Sequence, residues 1–500
     1  MAQNQYEYVI IGAGHNGLVA AAYLAKRGKK VLVLERRAVV GGSVVTESFG
    51  DDFTVDSVQT GGTLRPDIVK NLKLASFGLQ TDSVKQPFVS LLSASDYLVL
   101  DPDPVKAAES IKKFSSKDAA RWPEFVRFMD KAAYLLDAAY STIMPRLPKN
   151  FSLEEGYDLL ELGLELRLAG RRDMLNFIRA LPMTAQELLD EYFESEIVKA
   201  AIASLAIHGH TLGPMEAGTG YTLIHNWLNR GGLAHVNVGK AGEITNALAN
   251  AVKAFGGEIR TEAEVERVQV DTYTCKGVAL KNGEEIFADK VISAVDPKRT
   301  FLDLVGAVNL PPEFVWNVQS IKMRGSAAKI HLLTDGHHKI PDGTLVVAPS
   351  IKYLEKAYDA AKYGEISEKP YLEATTSGNT VSIHFQFAPY QLKNSTWDEQ
   401  RTSLENLAIN TLAEYFPNLK SSIVNRKLIS PLDLETTYGL TEGDINHGQL
   451  MLDQFLFMRP IPAWSNHKTP IANLYLCGSG VHGGGGVSGA AGRNVVRVLK

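Results

Sequence analysis

The first residues whose types and spacing imply chemistry are Gly12-Ala13-Gly14-His15-Asn16-Gly17. They follow an apolar run, Tyr8 to Ile11, and open a stretch rich in Ala and Leu, so the glycines stand where a strand turns into a helix. There each glycine has a task. Gly12 permits the tight turn, Gly14 lets the backbone approach a pyrophosphate, and Gly17 lets helix and strand pack. The helix presents free N–H groups and a positive end to a phosphate. Glu35 closes the next apolar run, 18 residues beyond Gly17. A carboxylate there accepts hydrogen bonds from ribose hydroxyls and repels a 2′-phosphate. These residues together predict a dinucleotide site.

The elements that must position them are legible around the motif. Residues 6–11 and 30–35 read as buried strands and 15–28 as a helix, a βαβ start that implies a parallel sheet covered on both faces. Residues 103–140 and 154–200 are helical in pattern. The stretch 187–209 reads as one helix bracketed by Pro182 and Pro214, and 212–221 as a Gly-rich loop. Residues 242–255 read as a helix stopped by Gly256-Gly257. Short strands follow at 258–260, 265–270, 276–288 and 290–296, with Asn282-Gly283 as a hairpin turn. Residues 301–460 mix strands and helices. Residues 474–477 form a last buried strand before a glycine turn and a helix from about Ser488.

Six residues past Glu35 comes a second glycine pair, Gly41-Gly42. With Ala21, Leu24, Gly28, Val31 and Val33, this pattern resembles the two-dinucleotide-binding-domain flavoproteins, in which the second pair lets the chain pass close to the pyrophosphate of FAD. The run LYLCGSGVHGGGGVSGAAGRN (474–494) resembles the carboxyl-terminal FAD motif of the amine-oxidase and phytoene-desaturase superfamily. Many members carry an acidic residue after its first glycine; Ser479 stands there and offers the ribityl chain a hydroxyl. Stretches along nearly the whole chain, among them YFESEIVKAAIA, ADKVISAVDP and EGDINHGQLMLDQFLFMRPIP, are similar to phytoene-dehydrogenase-related flavoproteins. The nearest branch is that of the pyridine nucleotide-disulphide oxidoreductase domain-containing proteins. The resemblance implies FAD contacts from the first motif and Glu35, and from Arg36, Gly41, Gly42, Ser43, Val265, Gly478, Ser479, Gly486, Val487 and Ser488. It has Gly486, Gly489 and Gly492 bring the last helix up to the cofactor, with the helix N-terminus toward the flavin ring. The GGxG usual before the 242–255 helix appears as Gly239-Lys240-Ala241-Gly242.

The fold expected is α/β: a Rossmann-like FAD-binding domain from 1–65, 232–300 and 465–500, with an inserted α+β substrate domain from 66–231 and 301–464. Flavin carries the redox chemistry, so no catalytic triad is required. His482 in the glycine turn, Arg459 and His447 are the candidate catalytic residues, and Arg65 after Gly61-Gly62 is a candidate contact. His208 and His210 have the spacing of one strand face but no accompanying carboxylate or cysteine, so no metal is expected. The Phe, Leu and Tyr residues between 300 and 460 suit an apolar pocket and a plain core equally. The two cysteines, Cys275 and Cys477, form no CxxC pair, which excludes a redox-active disulfide.

A net charge of −4 over 500 residues gives no basic field for nucleic acid. No signal peptide and no apolar run long enough to span a bilayer is read, which leaves a cytoplasmic or peripheral-membrane protein and a possible homo-oligomer. The activity expected is hydride transfer to flavin from a small hydrophobic, isoprenoid- or polyene-like substrate, as a desaturase, dehydrogenase or isomerase. Oxygen, a quinone or another compound is then the electron acceptor. An amine oxidase and a flavin-bound, non-catalytic interaction protein are the alternatives.

Overall fold

The computed structural model describes residues 6–50, 53–59, 62–80, 84–145, 153–233, 236–237 and 240–499. Gly61 and Gly239 lie outside them.

The first sheet is built from β1 (Tyr6–Ile11), β2 (Val31–Leu34), β3 (Glu258–Arg260), β4 (Val265–Asp271), β5 (Thr274–Leu280), β6 (Glu285–Ser293) and β7 (Leu474–Leu476). β1 lies between β2 and β6, with β3 beyond β2 and β7 beyond β6, all parallel. β6 is one continuous strand, where the sequence pattern predicted a break between 288 and 290. Its first half pairs antiparallel with β5, which pairs with β4, and its second half enters the parallel sheet. The 280–285 turn forms at Asn282-Gly283, with Gly283 at φ +89° and its N–H bonded to the Leu280 carbonyl.

The central strands β1 and β2 are almost wholly apolar because both faces are covered. Ile10, Val31 and Val33 pack under three helices, α1 (His15–Lys26), α2 (Ala241–Ala254) and α3 (Ala490–Val498). Val9, Ile11, Leu32 and Leu34 face the opposite core with Phe301 and Phe314. At ~2 kcal/mol per buried Val, Leu or Ile, these two cores supply the main drive for this half of the fold. Cys275 and Cys477 are free, buried thiols in different cores.

The second sheet runs in the order 423–429, 327–334, 380–386, 372–377, 344–346, 88–91, 97–100. Its pairs are antiparallel except 344–346 with 88–91. Period-2 alternation divides it sharply. Ile330, Leu332, Ile383, Phe385 and Ala374 enter an apolar core with Trp397 and Leu404. Lys329, His331, Ser382, His384, Gln386 and Glu373 take the alternate positions, and the register sets His384 opposite both Lys329 and Glu373. The aromatic and aliphatic residues between 300 and 460 thus serve mainly as core.

A helical layer, including Ser116–Ser141, Glu196–Ile207 and Thr219–Arg230, packs around a third core. The single helix predicted over 187–209 is two, Ala185–Asp190 and Glu196–Ile207. The break has a cause in the Asp118 carboxylate, which accepts the N–H groups of Glu194 and Ser195 at 2.9 Å each and so starts the second helix afresh. Among the described residues no helix is long and apolar enough to cross a membrane.

Candidate functional site: a dinucleotide cleft and a polar chamber

The turn from β1 into α1 has the geometry that its glycines require. Gly12 has φ +94°, and its N–H donates to the Leu34 carbonyl at 2.8 Å. A Cβ on Gly17 would lie 2.3 Å from the Gly12 carbonyl oxygen, so helix and strand close only on glycine. Gly14 lines a cleft of about 310 Å³, and a Cβ there would meet no protein atom within 4 Å. No side chain caps the first turn of α1, so its N–H groups remain available to an anion. The Glu35 carboxylate accepts the Ala13 N–H at 2.9 Å and the Arg37 N–H at 3.0 Å, which fixes it against the turn with lone pairs to spare. Gly41 donates to the Ala13 carbonyl at 2.9 Å, and a Cβ on Gly42 would sit 3.3 Å from the Gly14 Cα, so the second glycine pair lies on the first turn.

The cleft gathers Gly12, Gly14, His15, Asn16, Gly17, Glu35, Arg36, Gly41, Gly42, Ser43, Val265, His447 and Ser479, residues from both chain ends. Asn16 Nδ2 donates to Ser479 Oγ at 3.4 Å. His15 and His447 are buried, and desolvation pushes each imidazole down to about 4, so both are neutral at pH 7. The donors, the acceptor carboxylate and the room beside Gly14 fit an adenine dinucleotide.

Other sequence candidates stand elsewhere. Ala13 is buried with its N–H spent on Glu35. Gly478 packs against the Ala294 carbonyl, 2.7 Å from where a Cβ would be. Ser488 Oγ accepts the Ala490 N–H. Gly489 and Gly492 do not bring α3 to a cofactor, because a Cβ on Gly492 would lie 2.2 Å from the Asn16 carbonyl and one on Gly489 3.1 Å from Val19. They bring α3 onto α1. His482 is fully buried, its Nε2 at 3.0 Å from the Ala139 carbonyl, and it lines neither the cleft nor the chamber described next. Arg459 spends its guanidinium on the carbonyls of Asn446, Gly448, Gln449, Gln454 and Ser479, a clamp between two loops that leaves no fork for a substrate. Arg65 is ion-paired to Asp137.

A second cavity, about 70 Å³, lies between Gly62, Gly486 and Val487 on one side and helix 219–230 on the other. A Cβ on Gly62 would come 2.4 Å from the Val487 Cβ, and one on Gly486 2.6 Å from the Asn229 Cγ, so these glycines set the walls. His208, His210, His225, Asn226, Asn229 and Arg230 line it, and among the described residues no Phe, Tyr or Trp does. His225 Nδ1 lies 2.7 Å from the Tyr140 hydroxyl, which lies 2.7 Å from Tyr221 Oη. The Asn229 amide reaches His225 Nε2 at 3.1 Å. That contact assigns the donor proton of the ring to Nδ1.

Behind this wall stands the polar face of the second sheet. Arg230 binds Glu373 through two hydrogen bonds of 2.8 and 3.0 Å. Burial alone would raise the Glu373 carboxyl, but Arg230 and His208 hold it well below the usual carboxylate range. The His208 ring stacks on His384 with centroids 4.0 Å apart, and burial with Arg230 nearby lowers His208 to about 3. Lys329 is 4% exposed. Burial lowers its ammonium to about 8, and among the described residues no group accepts a hydrogen bond from it. The cations Arg230 and Lys329 are met by two carboxylates, Glu373 and Asp56, both of which act on Lys329, so the formal charges of the region balance. His208 and His210 belong to no strand, since His208 caps helix 196–207 and His210 follows in a turn. Lys329, Glu373, Arg230, His225 and Asn229 escaped the motif search. For Lys329 the signal is the polar alternation in Lys329-Ile330-His331, matched across the sheet by Ser382-Ile383-His384-Phe385-Gln386, whereas His225, Asn229 and Arg230 lie on a helix and give no signal of that kind.

With this geometry in place, the chain belongs to the flavin containing amine oxidoreductase family, whose sequence model matches residues 17–498. It is 33% identical to pyridine nucleotide-disulfide oxidoreductase domain-containing protein 2 of Rattus norvegicus, over 99% of this chain and 93% of that one. It is 25% identical to the phytoene desaturase (lycopene-forming) of Pantoea ananas, over 97% and 96% of the two chains. The crystal structure of an oxidoreductase from Methanosarcina mazei shares the fold, with a TM-score of 0.60 at 18% identity over 99% of this chain and 100% of that one. The protein is a FAD-dependent oxidoreductase with a Rossmann-like FAD-binding domain.

Proposed function

We propose that this oxidoreductase takes a hydride from a carbon–hydrogen bond of an isoprenoid- or polyene-like substrate that bears a hydrogen-bonding or anionic group near the reacting carbon. The carbon skeleton follows from the likeness to a phytoene desaturase along nearly the whole chain. The polar group follows from the chamber, and its lining of imidazole, amide and guanidinium groups is the observation that carries the reading. His210 Nε2 is buried and, among the described residues, without a partner, and a bare hydrocarbon would leave it so, at ~1–3 kcal/mol, where a polar group would satisfy it.

In this reading residues 1–65, 232–300 and 465–500 hold FAD, and residues 66–231 and 301–464 shape the substrate side. Glu35 binds the adenosine ribose, Val265 lies by the adenine, the first turn of α1 holds the pyrophosphate, and Ser479 meets the ribityl chain. FAD supplies the hydride acceptor, with oxygen, a quinone or another compound taking the electrons onward. Asn229 and His210 orient the polar group, and the neutral His225, held by Tyr140, takes the proton that leaves in a desaturation. The same first step serves an isomerase that returns the hydride to another carbon.

The test is anaerobic mixing of the holoprotein with polyenes and isoprenoids carrying hydroxyl, carbonyl or carboxylate groups, beside parent hydrocarbons and amines. Flavin bleaching, or a shifted double bond in the product, by the polar set alone is the expected result. Bleaching by amines alone, or by none of these compounds, overturns the reading.

A further inference from the structure

Outside the cofactor cleft, three cavities lie end to end. A surface groove of about 580 Å³ runs beside helix Ile351–Lys362 and the segment 387–393, with Tyr358, Tyr363 and Tyr390 on its walls. Thr211, Arg324, Gly325 and Ser326 line both this groove and a narrow cavity of about 10 Å³. Gly209, His210, Ile445 and Asn446 line both that narrow cavity and the polar chamber. We propose that groove, neck and chamber form the route by which substrate reaches the flavin edge, and that a hydrogen bond between Thr211 and Gln449 is the latch across its neck. The inference rests on reading the chamber as the substrate site.

The neck's size decides that something must move. A cavity of about 10 Å³ holds one water at most, so no carbon chain passes while it keeps this shape. Its backbone walls are tied. Gly325 donates to the Glu442 carbonyl, Tyr390 to that of Gly325 and Ala388 to that of Ser326, each at 2.9 Å. The Asn446 amide donates to the Gly209 carbonyl at 2.9 Å. The Gln449 side chain is held less fully. Its Nε2 donates to Thr211 Oγ1, while its Oε1 is buried and, among the described residues, without a partner. Rotation of this one side chain gives up a single neutral hydrogen bond, worth ~1 kcal/mol net, and lets the orphaned oxygen find water. Arg324 stands where groove meets neck. Its side chain is exposed and, among the described residues, makes neither an ion pair nor a hydrogen bond; it acts on the Glu442 carboxylate across the groove only at a distance, which leaves its guanidinium to meet an anionic group on the way inward.

Sulfite is the probe, because it adds directly to a protein-bound flavin with a visible loss of colour and needs no substrate. Cys275 and Cys477 are both buried, so a cysteine placed at half-buried Ser326 is the thiol that N-ethylmaleimide reaches. Capping Ser326→Cys should slow sulfite addition to the holoprotein by about tenfold or more. Capping Ser95→Cys, an exposed site on the turn after residues 88–91, should leave the rate unchanged. Thr211→Val, which removes the latch acceptor, should speed addition severalfold, and Arg324→Gln should slow it and flatten its dependence on salt. Should Ser326→Cys fail to retain flavin, capped Thr211→Cys takes its place. A rate within about twofold of the uncapped protein, with capping complete by mass spectrometry, overturns the route. If the cap blocks sulfite while no polyene or isoprenoid bleaches the flavin, the route stands and the substrate reading falls alone.

Discussion

Mild acid should dismantle this protein through its histidines. His15, His210, His331, His447 and His482 are lowered to about 4 and His208 and His467 to about 3, in every case chiefly by burial. A folded-state pKa below the unfolded value of 6.5 means that the unfolded chain binds more protons between the two. Stability is therefore complete above about pH 6.5 and is lost as the pH falls toward 4. At about pH 5.5 an unfolded imidazole is ~90% protonated and a buried one of pKa 4 is ~3% protonated. Seven such groups differ by ~6 protons, a slope of ~8 kcal/mol per pH unit. The carboxyls of Asp56, Asp296, Asp303, Glu355, Glu442 and Asp444 are raised by desolvation and oppose this in part. A total stability of ~5–15 kcal/mol should therefore fall steeply as the pH drops below 6.5. The assay is urea unfolding of the holoprotein between about pH 7.5 and 5, followed separately by flavin release and by near-UV circular dichroism, since a chain of this size need not unfold in one step. A urea midpoint that stays level down to about pH 5 would refute the argument. So would a His467→Gln variant whose acid slope is no shallower than that of the parent.

Three further outcomes are expected. Gly17→Ala, whose Cβ would fall 2.3 Å from the Gly12 carbonyl, should yield protein without bound flavin, as read from the absorbance ratio after purification. Arg230→Met strands the Glu373 carboxylate at 2% exposure, a loss of ~3–5 kcal/mol by urea unfolding, and Arg230→Met with Glu373→Leu should recover most of it. Glu35→Gln keeps the side chain's shape but weakens its hydrogen bonds to ribose, so FAD titrated into deflavinated protein should bind about tenfold more weakly, and an unchanged affinity would remove Glu35 from the ribose site.

The cofactor side of the fold was legible because its chemistry is local. Gly12, Gly17 and Glu35 announce a turn, a close contact and a carboxylate within 24 consecutive residues. The misreadings came where distant residues decide. The carboxylate of Asp118, far upstream, breaks the 187–209 helix, and Gly489 and Gly492 accommodate α1 rather than a ligand. His482 and Arg459 drew attention as titratable or charged residues near glycines, but backbone carbonyls absorb both. The chamber stayed hidden because strand register, not spacing, brings Glu373 and His384 together, and because Arg230 joins them from a helix more than a hundred residues earlier in the chain.

β7 stands beside β6, and α3 lies on α1 with Gly492 against the Asn16 carbonyl. A nascent polypeptide still threaded through the ribosome thus carries its phosphate-binding turn through the synthesis of residues 18–473 without the strand and helix that seal it. Loading with FAD should wait until residues 474–498 have emerged, and a stop codon anywhere before Leu474 should give a colourless product however well the other segments fold.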